Sequence, residues 1–146
     1  MKEELHIYLR VSSEIQLKDG YGLEDQQKLG EKVSKSLGMI PIFHNEGFLS
    51  THSESFEDRP ILSELMFKID CGEVKHLWVF NIDRLNRDDE DDRVWNIIRF
   101  NLRKNGVILY VGEGNQYNLS NYLDDFVFGM MSEVSKYDNR LRSERL

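Results

Sequence analysis

Arg10, Val11 and Ser12 close a strongly β-patterned run, His6-Ile7-Tyr8-Leu9-Arg10-Val11, and Asp83, Arg84 and Arg87 follow a second, Leu77-Trp78-Val79-Phe80-Asn81-Ile82. If both runs are parallel strands of one α/β sheet, a hydroxyl, a carboxylate and three guanidiniums meet at the carboxyl ends of the strands, where such sheets place their ligands. Arginine presents rigid paired donors that match phosphate oxygens. A hydroxyl beside several of them is a candidate nucleophile for a phosphodiester. Such an attack needs the alcohol's proton removed, the added charge of a pentavalent transition state stabilised and the leaving 3′ oxygen protonated. Arginines meet the second need without a metal.

Each residue also has a plainer use. A serine at a strand end is commonly a turn or cap residue, and Ser13 offers the same hydroxyl, although consecutive strand-end side chains point to opposite faces. Arg84 and Arg87, three apart, share one face if a helical turn begins there, but Asp88-Asp89-Glu90-Asp91-Asp92 offers them salt-bridge partners. Asp83 suits an N-cap. The acidic run itself admits a magnesium reading, yet negative side chains at a helix start are accounted for by the helix dipole. The four histidines, His6, His44, His52 and His76, lack metal-ligand spacing, and no metal site is expected.

The elements that must position these residues alternate. A strand is expected over about 5–11, with Ile7, Leu9 and Val11 on one face and His6, Tyr8 and Arg10 on the other. A polar stretch with Gly20 and Gly22 follows. Leu23 to Leu37 reads as a helix, with Leu29, Val33 and Leu37 at fourfold spacing and Gly38 as its stop. Met39 to Phe43 is a short strand, and a loop runs to about Asp58. Pro60, preceded by Asp58, opens a helix ending at Gly72, with Cys71 a helix-end residue. A third strand precedes Asp83, a helix covers about Asp88 to Lys104, and Asn105-Gly106 turns into a fourth strand, Val107 to Val111. This βαβαβαβ order points to an α/β fold, a parallel sheet covered by helices. From Leu119 to Leu141 the apolar residues Leu123, Val127, Met130, Val134, Tyr137 and Leu141 alternate steps of four and three, a heptad-like stripe on a long helix. Such a stripe either packs on its own domain or forms an interface.

The composition narrows the class. With 146 residues, 40% of them hydrophobic, the chain fits one domain with a single core. No run approaches the ~20 apolar residues of a membrane span, and no signal-peptide pattern precedes the first strand, so a cytoplasmic location and no membrane partner are expected. Cys71 is the only cysteine, which excludes an internal disulfide and a cysteine-rich zinc site. Nineteen Lys plus Arg against 26 Asp plus Glu give a net charge of −7, whereas a domain that holds DNA by itself should be basic. Phosphate affinity must be local or supplied elsewhere.

Four blocks in order carry a family resemblance. Tyr8-Leu9-Arg10-Val11-Ser12-Ser13 with Gln16, then Leu23-Glu24-Asp25-Gln26, Asp58-Arg59-Pro60 and Ile82-Asp83-Arg84-Leu85-Asn86-Arg87-Asp88 resemble the catalytic domain of serine site-specific recombinases, the resolvase/invertase superfamily. The extended Gly-containing stretch between Ser12 and Gln26 is most similar to the large serine recombinases. The resemblance implies a three-layer resolvase-like domain at 1–115, with a mainly parallel sheet of four or five strands flanked by helices. It implies a long dimerisation helix at 116–146, leading to a DNA-binding region absent from this chain. It names Ser12 as nucleophile, Arg10, Arg84 and Arg87 as the phosphate clamp, Asp83 as general acid or orienter, and Arg59, Gln16 and Gln26 as supporting residues. The stripe from Leu123 to Leu141 becomes the dimer interface, and Met130 and Met131 suit a surface that repacks. The implied partners are double-stranded DNA and further copies of the chain, a homodimer forming a tetramer in the synaptic complex. No cofactor is implied. The sequence departs from the family pattern at Asn45, where an Asp is usual, and at Asp138, where a Glu is common.

Two other readings compete: a flavodoxin-like module that holds a phosphorylated small ligand without chemistry, and a metal-dependent nuclease built on the acidic run. Tight binding of a soluble phosphate compound marks the first, and loss of activity to a chelator marks the second.

Overall fold

The computed structural model describes residues 2–12, 22–49, 59–85 and 93–144. Along the chain they form β1 (Glu4–Ser12), α1 (Leu23–Leu37), β2 (Ile40–Leu49), α2 (Pro60–Asp70), β3 (His76–Val79), a 3-10 turn (Ile82–Arg84), α3 (Arg93–Lys104), β4 (Ile108–Val111), β5 (Asn115–Asn118) and α4 (Tyr122–Glu144). The sheet order is β2-β1-β3-β4-β5. β1 runs parallel to both β2 and β3, and β3 parallel to β4. Only β5 is antiparallel, on β4. This is the expected three-layer α/β domain with a mainly parallel sheet.

β1 lies inside the sheet, and both of its faces are buried, as befits a parallel strand covered on each side. Leu5, Ile7 and Leu9 pack with Val33 of α1, Trp78 and Tyr110. Tyr8 belongs to the opposite cluster, with Leu62, Leu65, Met66 and Ile69 of α2, Trp95, Ile98 and Leu102 of α3, and Phe128 of α4. Each fully buried aliphatic side chain contributes about 1.5–3 kcal/mol relative to exposure, so the two clusters clamp β1 and fix where Arg10 must emerge.

Four boundaries differ from expectation. β2 continues through His44-Asn45-Glu46-Gly47 to Leu49, because His44 and Glu46 find partners in β1, at His6 and Tyr8. β3 stops at Val79, because the Asn81 side chain accepts the Ile82 N–H at 2.7 Å and turns the chain. Residues 116–118, which the resemblance places in the long helix, instead belong to the edge strand β5. It is joined to β4 through Gly112 and Gly114, with φ of 64° and 120°. α4 therefore begins at Tyr122, where Asn121 Oδ1 accepts the N–H groups of Leu123 and Asp124 at 2.9 and 3.3 Å. α3 is described from Arg93, and residues 86–92 lie outside the described residues.

α4 spans 23 residues. It docks through Phe128, which is fully buried against the rings of Trp95 and Tyr117 at 5.2 and 5.6 Å. Arg99 of α3 reinforces this, donating from Nε to Asp125 Oδ1 and from Nη2 to the Asp125 carbonyl, both at 2.9 Å. Leu123, Val127, Met130, Val134 and Tyr137 are exposed, joined by Phe126, and Leu141 is half-buried. Among the described residues the stripe is thus turned away from the domain's own core. No helix of the described residues is long and apolar enough to cross a membrane.

Candidate active site

β1 and β3 are adjacent and parallel, so the end of β1 and the turn after β3 share one edge of the sheet. That turn is closed by Arg84 N–H to Asn81 O at 3.0 Å and Leu85 N–H to Ile82 O at 2.9 Å. Arg10 and Arg84 are both buried. Arg10 Nη1 donates to the Arg84 carbonyl at 3.5 Å, a long contact, and the Arg84 guanidinium lies 5.3 Å from the centre of the Phe80 ring. The Arg10 guanidinium is therefore set against the backbone of the turn that carries Arg84.

A third guanidinium converges on the same turn. Arg59 precedes Pro60 at the start of α2 and is fully buried. Its Nη2 donates to the carbonyl of Arg84 at 2.6 Å, and its Nη1 to that of Leu85 at 3.1 Å. Nη2 also lies 3.2 Å from the Tyr8 hydroxyl oxygen. The planar fork of arginine suits this bridging of two carbonyls. Arg59 is thus placed to hold the turn, with both terminal nitrogens on protein oxygens.

The Tyr8 hydroxyl donates in turn to Glu46 Oε1 at 3.0 Å. Burial pushes the Tyr8 phenol up to about 12, against the opposing pull of Arg59, so it acts as a neutral donor. Glu46 completes the start of α2: Oε2 accepts the Ile61 N–H and Oε1 the Leu62 N–H, each at 3.0 Å. Helix N-terminal N–H groups need such acceptors, and Arg59 supplies no side-chain cap.

On the other face, α1 brings Gln26 to β1. Gln26 is fully buried, and its Nε2 donates to the Arg10 carbonyl at 3.0 Å. Its Oε1 is buried with no hydrogen-bond partner among the described residues, an uncommon state for a buried acceptor. The close approach depends on Gly30, one turn further along α1. A Cβ there would stand 3.0 Å from Ile7 Cγ2 and 3.3 Å from Trp78 Cε3.

Arg10, Gln26, Arg59 and Arg84 therefore come together. Ser12 is the last residue of β1, with its backbone paired to Leu49, and Asp83 is the middle residue of the 3-10 turn. Gln16, Arg87 and the acidic run Asp88–Asp92 lie outside the described residues. No group of three or more metal-ligating side chains occurs among the described residues.

Sequence reasoning assigned no part to Tyr8 or Glu46. The missing signal was a helix opening with Pro60 behind a residue that cannot cap it. A second buried polar pair also went unread: His6 Nδ1 and His44 Nε2 lie 2.9 Å apart with stacked rings. Burial lowers both imidazoles, His44 to about 4.

The family model described as Resolvase, N terminal domain, matches residues 5–146. No curated protein matches the chain in sequence. Among solved structures, the N-terminal catalytic domain of TP901-1 integrase is similar with a TM-score of 0.65 at 18% identity, covering 95% of this chain and 98% of that one. A resolvase family site-specific recombinase from Streptococcus pneumoniae is similar with a TM-score of 0.55 at 20% identity, covering 99% and 95%. At these identities the two structures show the fold.

Proposed function

The chain belongs to the resolvase N-terminal domain family, the catalytic domain of serine recombinases, and on that footing we propose that Ser12 is its nucleophile in site-specific DNA strand exchange. The Ser12 oxygen attacks the scissile phosphorus of double-stranded DNA. A serine–phosphorus bond forms, the bond to the 3′ oxygen breaks, and the serine proton is released as the 3′ oxygen takes up a proton. The products are a 5′-phosphoserine and a free 3′-hydroxyl. Attack by a 3′-hydroxyl on the phosphoserine reverses the step after exchange. The phosphodiester's energy is kept in the covalent link, so the cycle requires neither ATP nor a metal.

The observation that carries this reading is the convergence of Arg10 and Arg84 at the neighbouring ends of β1 and the turn after β3. With Arg87 they form the phosphate clamp, and Asp83 protonates the 3′ oxygen or orients the clamp. Gln26 keeps the Arg10 backbone in place, and Gln16 supports the nucleophile. The exposed stripe of α4 supports a homodimer that assembles into a tetramer on two DNA sites and exchanges strands by subunit rotation.

The test uses the full-length protein with a nicked suicide substrate bearing its recombination site. A covalent protein–DNA product is expected that is absent in Ser12→Ala, persists in Ser13→Ala and is unaffected by a chelator. A product that survives Ser12→Ala, or cleavage abolished by the chelator, contradicts the proposal.

A further inference from the structure

Resting on the recombinase reading above, we propose that Glu46 is a positioning residue for the phosphate clamp, acting through Tyr8 and Arg59 on the turn that carries Arg84. The bonds form one continuous chain. Glu46 Oε1 accepts the Tyr8 O–H at 3.0 Å. The Tyr8 oxygen accepts from Arg59 Nη2 at 3.2 Å, and Arg59 grips the carbonyls of Arg84 and Leu85 at 2.6 and 3.1 Å. The Arg84 carbonyl is also the oxygen reached by Arg10. Both described arginines of the clamp therefore depend on where Arg59 holds that one peptide group.

The direction of each hydrogen bond matters. A phenol that stays neutral has one proton to donate, and Glu46 fixes where it goes. The oxygen lone pairs are then left for the Arg59 fork. Without an acceptor at position 46 the buried hydroxyl is free to rotate, and Arg59 Nη2 no longer meets a fixed lone pair on the Tyr8 oxygen. A displacement of about 1 Å at reacting groups can cost about a hundredfold in rate.

Backbone irregularity places Glu46 there. The pairing of β1 with β2 runs Leu9↔Asn45 and then Arg10↔Gly47, so Glu46 is the extra residue of a bulge. Bulges re-aim side chains beside active sites. The Asn45 side chain is used locally, accepting the Gly47 N–H at 2.8 Å. The carboxylate one residue later is the one that reaches Tyr8 and the start of α2. Glu46 thus ties the first turn of α2 and the orientation of Tyr8 to one carboxylate, and a role in capping alone is the alternative to be separated.

The experiment compares wild type, Glu46→Ala, Tyr8→Phe, the double variant and Ile69→Val in the full-length protein. Ile69→Val lowers stability from the far end of α2 without touching the chain of bonds. Single-turnover cleavage of the suicide substrate is measured at saturating protein, and amide hydrogen exchange is followed at Arg84 and Leu85. Glu46→Ala and Tyr8→Phe should each slow cleavage by about 10- to 100-fold, with DNA affinity unchanged. The double variant should be no slower than the worse single, and exchange at both amides should rise in all three. Ile69→Val should match wild type in rate and in exchange at the turn. The proposal is overturned by wild-type cleavage in Glu46→Ala, by costs that multiply in the double variant, or by unchanged exchange at the turn. Should Glu46→Ala not fold, Tyr8→Phe, which keeps the α2 cap, decides alone by the same two readouts. Should wild type give no covalent product, the recombinase reading fails, and the exchange measurement still decides whether Glu46 orders the turn.

Discussion

Three buried arginines meet at one turn, and their hydrogen bonds divide the work. Arg59 places its terminal nitrogens on the carbonyls of Arg84 and Leu85 and on the Tyr8 hydroxyl, whereas Arg10 and Arg84 stand at the ends of strands with the scissile phosphate in the proposed mechanism. Arg84→Ala should therefore slow DNA cleavage by ~10²-fold or more, the scale of losing one transition-state donor. Single-turnover kinetics check this, and a loss confined to DNA affinity with an unchanged cleavage rate would contradict it. The buried histidine pair makes a second residue-level prediction. Both imidazoles titrate below 6.5 in the folded state, His44 at about 4, because burial disfavours the cation. The unfolded chain binds protons first as pH falls, so the stability contribution is complete above pH 6.5 and is lost as pH drops toward 4. For His44 the loss is at most on the order of 3 kcal/mol, at about 1.4 kcal/mol per pH unit. Melting temperature should fall between pH 6.5 and 4.5, and His44→Leu should flatten that slope. A wild-type curve flat over this range would refute the assignment.

At the level of elements, α1 sits close enough to the sheet for Gln26 to bond β1, and Gly30 sets that distance. Alanine is the better helix former by about 1 kcal/mol, yet a Cβ at position 30 meets Ile7 and Trp78, both fully buried. Overpacking typically costs about 1–3 kcal/mol, so Gly30→Ala should lower thermal stability against its helix propensity. A raised melting temperature would show that the helix yields freely. The same scale explains what the sequence could reveal. α1 was legible from end to end, because Leu29 and Val33 mark its inner face and Gly38, at φ 68°, stops it. The length of β2 was not, because His44 and Glu46 read as loop polarity until His6 and Tyr8, 38 residues away in each case, are seen to pair with them. β5 was hidden for a related reason: Asn115-Gln116-Tyr117-Asn118 has no apolar alternation, and only its ladder with β4 makes it a strand. Of the site, Arg10 and Arg84 were readable from their strand-end pattern, whereas Gln26 entered only through the family resemblance. The Glu46–Tyr8–Arg59 chain joins three separate elements and leaves no local trace except an uncapped helix start.

For the molecule as a whole, a net charge of −7 and a row of exposed apolar residues on α4 point the same way. The domain is poorly suited to hold DNA by general electrostatics, and an apolar face left exposed among the described residues is suited to a second copy of itself. If the proposed homodimer forms through this face, Val127→Glu should shift the full-length protein toward monomer in sedimentation while leaving its monomer melting temperature nearly unchanged, since Val127 lies off the domain's own core. An unaltered dimer would place the interface elsewhere. Quenching a suicide-substrate reaction with the full-length protein, digesting the DNA with nuclease and mapping peptides by mass spectrometry locates the covalent link. The account predicts a nucleotide phosphate on the oxygen of Ser12. A link on Ser13 or any other residue, or cleaved DNA with no peptide attached, would contradict it.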